Sequence, residues 1–158
     1  MNPTLRLLRF AAALAFVPGA SALFAAKPIA GPKGGRVLTA SAPHAEFFVE
    51  KDRTVAVTFY DAGLKPLAPE ARVVSAIAEA PSGKVRLEFE KTASGFVSRE
   101  PLPDGDGYTI VVQIREEAGA KPRNYRVVFH DEICDECQRA EYACVCEGEG
   151  HEGGGHAH

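Results

Sequence analysis

The stretch YTIVVQIR, Tyr108 to Arg115, alternates strictly, with Tyr108, Ile110, Val112 and Ile114 on one side of an extended chain. A period of two is what a sheet with one buried face requires, and a helix cannot use it. The pattern recurs along the chain. KVRLEFEK (Lys84 to Lys91) sets Val85, Leu87 and Phe89 against Arg86, Glu88 and Glu90. TVAVTFY (Thr54 to Tyr60) sets Val55, Val57 and Phe59 against Thr54, Thr58 and Tyr60, and NYRVVFH (Asn124 to His130) aligns Tyr125, Val127 and Phe129. AEFFVE (Ala45 to Glu50) and GFVSRE add shorter runs, and Arg36 to Thr39 reads as one more short strand inside a Gly- and Pro-rich stretch.

One segment admits two readings. In RVVSAIAEA (Arg72 to Ala80), Val74, Ile77 and Ala78 could form a helical stripe, or Val73, Ser75 and Ile77 could share one face of a strand. Alanine favours helix, and the strand spacing on either side favours strand, which is the reading preferred. About seven short strands punctuated by Gly and Pro then specify an all-β fold, an immunoglobulin-like antiparallel β-sandwich. It is expected to occupy residues 45–130, after a loop or linker over 23–44. The body has no Trp and no Cys, so apolar packing alone must hold it; a body of about 105 residues buries enough surface for that.

The first 22 residues read as an export signal. Arg6 and Arg9 give a positive start, Phe10 to Val17 a short apolar stretch, Pro18-Gly19 a break, and Ala20-Ser21-Ala22 a small-residue cleavage site. Cleavage after Ala22 or after Ala26 fits. The apolar run is shorter than the roughly 20 residues of a membrane-spanning helix, so no span is expected in the mature protein. The expected setting is outside the cytoplasm, the periplasm in a cell with two membranes.

Charge is unevenly placed. From His130 to His158 eight acids face Arg139 alone, which makes that segment −7 and, against −3 for the whole chain, leaves +4 before it. Two of those positives belong to the export signal, so the body is near neutral and offers no clustered cation surface for nucleic acid. Within the body His44 is read as an ordinary loop residue. No Ser-His-Asp or Cys-His arrangement can be assembled there, and the expectation is that the protein is not an enzyme. DGDG (Asp104 to Gly107) lacks the further oxygen ligands of a calcium loop and is read as a hairpin turn. GPKGG lacks the Lys-Ser/Thr ending of a phosphate loop.

GPKGGRVL (Gly31 to Leu38), PHAEFFV (Pro43 to Val49) and VTFYDAGLKPL (Val57 to Leu67) resemble a pattern in small exported β-domains of heavy-metal efflux systems, and the N-terminal region of some periplasmic adaptor proteins of those pumps. The resemblance covers roughly Gly31 to His130. It implies a periplasmic setting, copper or zinc as the ion, an envelope efflux component as partner, and His44 and Glu46 as positions of interest. The chain departs from an adaptor in having no long helical hairpin, and its cysteines lie outside the pattern.

All four cysteines fall in the acidic, Cys/His-rich segment 131–158, expected to be a largely irregular tail. Cys134-Asp-Glu-Cys137 lets two thiolates converge over a turn whose N–H groups point at sulfur. In Cys144-Val-Cys146 an extended chain puts both sulfurs on one side. Six residues, QRAEYA, allow one pair to fold over the other. Four thiolates suit Zn(II), whereas two or three suit Cu(I). His130 could replace a sulfur, and would share a face with Cys134 and Cys137 were that stretch helical. His151, His156 and His158, in a Gly-rich stretch with no large apolar residue, could assist in capturing an ion. Two alternatives stay open: two disulfides making a structural clasp for an interaction module, and dithiol redox chemistry at Cys134 and Cys137.

Overall fold

A computed structural model describes residues 29–146. The export segment 1–22, the cleavage points after Ala22 and Ala26, and His151, His156 and His158 lie outside the described residues.

Ten strands form two antiparallel sheets among the described residues. The first sheet runs β1 (Arg36–Val37), β2 (His44–Val49), β3 (Val55–Tyr60), β8 (Gly95–Ser98) and β7 (Phe89–Lys91), with β4 (Pro66–Leu67) pairing separately on β3. The second runs β10 (Arg123–Phe129), β9 (Tyr108–Arg115), β5 (Val73–Ala80) and β6 (Gly83–Leu87). None of the described helices is long and apolar enough to cross a membrane.

Both sheets turn their apolar positions into one core. Ala45, Phe47, Val55, Val57, Phe59 and Phe96 come from the first; Val74, Ala76, Ala78, Leu87, Ile110, Val112, Val127 and Phe129 come from the second. The alternation in β9 and β10 thus does what its period requires. The ambiguous segment is a strand, β5, and its register is fixed on both sides by β9 and β6. Its buried face is Val74, Ala76, Ala78 and Ala80, while Val73, Ser75 and Ile77 share the outer face. Helix propensity yields here to pairing on two sides, because a helix would leave the edges of β9 and β6 unpaired.

Two connections differ from the sequence reading. Lys84 to Lys91 is not one strand: the chain pairs with β5 through Leu87, turns at Glu88, and continues as β7 against β8 in the other sheet. Such sheet-switching bends form the corners of packed sheets. DGDG is not a hairpin turn, because β8 pairs with β3 and β7 whereas β9 pairs with β5 and β10, so the loop crosses between sheets. Gly105 (φ 104°) and Gly107 (φ 72°) supply the left-handed backbone of that crossing. His44 is likewise a buried strand residue and not a loop residue.

β3 is buried at every position, including the outward Thr58 and Tyr60. The turn around Gly31–Gly35 packs on neighbouring β2, and Glu46 holds it. This carboxylate is 0% exposed and accepts hydrogen bonds from Lys33 N (3.0 Å), Gly35 N (2.8 Å) and the Tyr60 hydroxyl (2.7 Å). Burial and the adjacent Glu46 carboxylate push the Tyr60 phenol well above its ordinary pKa, so it stays protonated and donates. Gly31 lies so close that a Cβ there would run into the Glu46 carboxylate. Glu46→Gln places an amide N–H where a donor already points, and is expected to lower stability by about 1–3 kcal/mol. Urea denaturation checks this; a midpoint unchanged from wild type would show that the turn is held by something else.

Candidate metal centre

After Phe129 the chain doubles back on itself. Glu141 N donates to Glu132 O (2.8 Å), Tyr142 N to His130 O (3.1 Å), and Ile133 bridges Ala140 in antiparallel fashion. The tip of this small hairpin is the Cys134–Gln138 turn. Gln138 N donates to Cys134 O (2.9 Å) and Cys134 N to Arg139 O (2.8 Å). Gln138 adopts φ 55°, the left-handed conformation, which folds the turn tightly enough to bring Cys137 beside Cys134.

Residues Glu141–Ala143 form one 3₁₀ turn, and Tyr142 and Ala143 enter the core. The Tyr142 ring packs edge-on to Phe47, with centroids 5.8 Å apart, and tilted against Phe129 at 5.7 Å. Its hydroxyl accepts from Val49 N (3.0 Å), and its carbonyl accepts from Arg36 Nη1 (3.3 Å). The Arg139 guanidinium reaches Gly31 O (3.5 Å), so the turn that Glu46 secures also supports the cysteine hairpin. Residues 131–146 are therefore docked on the body.

Cys144 leaves the 3₁₀ turn in extended conformation, φ −60° and ψ 137°. That geometry carries Cys144 and Cys146 back over the Cys134–Cys137 turn. The four sulfurs lie within 4.8 Å of one another. Cys134 Sγ is 3.7 Å from Cys146 Sγ and 3.6 Å from Cys144 Sγ, and Cys137 Sγ is 3.7 Å from Cys144 Sγ. All four are free thiols of intermediate exposure. These separations are far longer than a disulfide bond of about 2.05 Å. They match the edge of a tetrahedron with metal–sulfur bonds of about 2.3 Å, which is about 3.8 Å.

The electrostatics of the group are uneven. N–H groups of Val145 and Arg139, together with neighbouring thiols, bring Cys137 down to about 6 despite some burial. At Cys144 the N–H of Cys146, 3.4 Å from sulfur, pulls downward, but burial and the contacts with Cys134 and Cys137 outweigh it and the value rises. Cys146 rises chiefly through its contact with Cys144, then through burial and Glu136. One thiolate forms readily and then opposes the next, as like charges at this spacing must. Four thiolates can coexist here only with a cation among them.

The other residues singled out in the sequence stand elsewhere. His130 is outside the sulfur group: its Nδ1 is 2.7 Å from Asp106 Oδ2, and Asp106 Oδ1 accepts Asp131 N (3.0 Å). His44 and Glu46 are both buried, and the Glu46 oxygens are taken by the turn it secures and by the Tyr60 hydroxyl. Sequence reasoning passed over Tyr142, the residue that docks the centre. The available signal was a lone aromatic between two cysteine pairs in an otherwise polar segment. No family model, curated protein or solved structure matches the chain.

Two outcomes follow for stability. Tyr142→Ala removes a buried ring from between Phe47 and Phe129 and is expected to cost about 3–5 kcal/mol, whereas Tyr142→Phe gives up only the Val49 bond, about 1 kcal/mol. Calorimetry on the reduced protein distinguishes the two; equal, small losses would mean that the ring does not fill the core. At Gln138 the left-handed backbone tolerates glycine, while Gln138→Val is expected to lose about 1–2 kcal/mol, measurable in the same way.

Proposed function

We propose that this protein is an exported Zn(II)-binding protein, in which an immunoglobulin-like β-sandwich displays a four-thiolate centre made by Cys134, Cys137, Cys144 and Cys146. The single observation that carries the reading is the convergence of all four sulfurs within 4.8 Å, with three of the separations at 3.6–3.7 Å. Four sulfur donors at that spacing favour tetrahedral Zn(II) over Cu(I), which needs fewer. Four protein ligands leave no open position for substrate, which supports binding in preference to catalysis. Export is supported by the ordered signal pattern of residues 1–22. An envelope efflux component as partner is supported by the resemblance over Gly31 to His130. The intermediate exposure of all four cysteine residues, and the histidines that follow in sequence, support an ion that is held and passed on.

The burial of Tyr142 and Ala143 favours a second reading, in which the same ion is a structural clasp and the sheets are an interaction module. The two readings differ in exchange. A carrier loses zinc to a competing chelator while the sheets stay folded; a clasp holds it until the domain unfolds.

The test is metal titration of the reduced full-length chain, read by elemental analysis and by the visible spectrum of the cobalt-substituted protein. One ion per chain is expected, with the absorption of tetrahedral thiolate cobalt. Cys144→Ser/Cys146→Ser is expected to abolish stoichiometric binding. Zinc content unchanged in that variant, or a reduced wild-type chain that takes up no ion, would refute the assignment.

A further inference from the structure

Resting on the zinc reading, we propose that the centre is also a redox switch, in which a peroxide converts the four thiolates into the disulfides Cys134–Cys146 and Cys137–Cys144 and expels the ion. Four cysteines allow three connectivities, and the observed contacts distinguish among them. Cys134 with Cys146 and Cys137 with Cys144 are both 3.7 Å contacts and share no residue, so together they use all four sulfurs. The shortest contact, Cys134 with Cys144 at 3.6 Å, would leave Cys137 to Cys146, a pair bounded only by the 4.8 Å of the whole group. The third connectivity would close Cys144 onto Cys146 across Val145 alone, in a chain held extended at Cys144. Each selected pair needs to close by about 1.7 Å to reach bonding distance.

Both selected bonds join the Cys134–Cys137 turn to the extended segment leaving Tyr142, so they span the conformation that the tyrosine already fixes. The switch closes without undocking the hairpin, and reduction restores the same group of sulfurs. All four thiols are partly exposed, which admits a small oxidant. The electron balance is complete with peroxide as co-reactant. Four zinc-bound thiolates become two disulfides and surrender four electrons. Two molecules of hydrogen peroxide take those electrons with four protons from solvent, giving four waters, and one Zn(II) ion leaves.

The experiment starts from the full-length chain, reduced and loaded with zinc. Hydrogen peroxide is added to two equivalents, free zinc is read with a chromogenic chelator, and disulfides are mapped by mass spectrometry. Cleavage after Glu136 and Arg139 separates Cys134 from Cys137 and both from Cys144 and Cys146, and fragmentation at Val145 assigns the remaining pair. The expected result is release of one zinc per chain, a loss of four hydrogens against the reduced mass, the two named disulfides, and recovery of binding after dithiothreitol and fresh zinc. Zinc retained under peroxide, or released with a different connectivity or with sulfinic acids in place of disulfides, overturns the switch and leaves the zinc assignment standing. A reduced chain that holds no zinc before peroxide is added overturns the zinc assignment, and the switch with it.

Discussion

The Tyr142 ring, wedged between Phe47 and Phe129, is the contact on which the sulfur geometry depends. Two short cysteine pairs on a polar segment have no apolar reason to converge, and the entropy of ordering some fifteen residues would oppose it. Tyr142 supplies the missing reason. It lies between Cys137 and Cys144, so burying its ring fixes where the second pair leaves the core. Its hydroxyl and carbonyl meet Val49 N and Arg36 Nη1, so the buried polar atoms are satisfied as well. Burial raises the phenol pKa, which keeps a neutral group in the core through the physiological range.

A second constraint works from the opposite side. Glu46 is a carboxylate with no exposure, in a domain where such burial is costly unless every lone pair is used. Lys33 N, Gly35 N and Tyr60 use them, and the turn so formed presents Gly31 O to Arg139. The ring fixes the exit of the cysteine hairpin and the turn supports its tip. The efflux-domain resemblance implies His44 and Glu46 as positions of interest. In the folded chain Glu46 ties the Lys33–Gly35 turn to Tyr60, and it bears on the centre through Arg139 at Gly31 O and through its charge on Tyr142.

The all-β character was legible because alternation is a direct image of the pleat. Ile110, Val112, Val127 and Phe129 face the core as their spacing requires. β5 was ambiguous because its inward residues are mostly alanine, which fits helix and sheet alike; only pairing with β9 and β6 decides. The bend at Glu88 and the crossing at Asp104 to Gly107 were hidden for another reason. A period-two pattern specifies a face and is silent on which sheet receives it, so one continuous pattern can serve two sheets. At the centre, the four sulfurs were legible as donors from their spacing, whereas their distances depend on Tyr142, a contact with residues nearly a hundred positions away. The place of His44 at the start of β2 is not legible, because a lone histidine after Ala42-Pro43 carries no periodic signal of its own.

The sulfur group faces a choice that follows from charge alone. Four thiols this close can keep their protons, lose hydrogens to form bonds, or lose protons to a cation. The N–H groups aimed at Cys137 favour its anionic form, while burial and neighbouring sulfur contacts push Cys144 and Cys146 the other way, so without a cation the group does not reach four thiolates. Going from the observed 3.7 Å contacts to a disulfide changes the sulfur separation of each selected pair by about 1.7 Å, a small rearrangement beside the docked Tyr142 ring. A scaffold able to accept either the bonded or the metallated state without unfolding leaves the decision to the redox and metal activity around it. Such independence is what would set the proposed carrier apart from a clasp whose metal is inseparable from the fold.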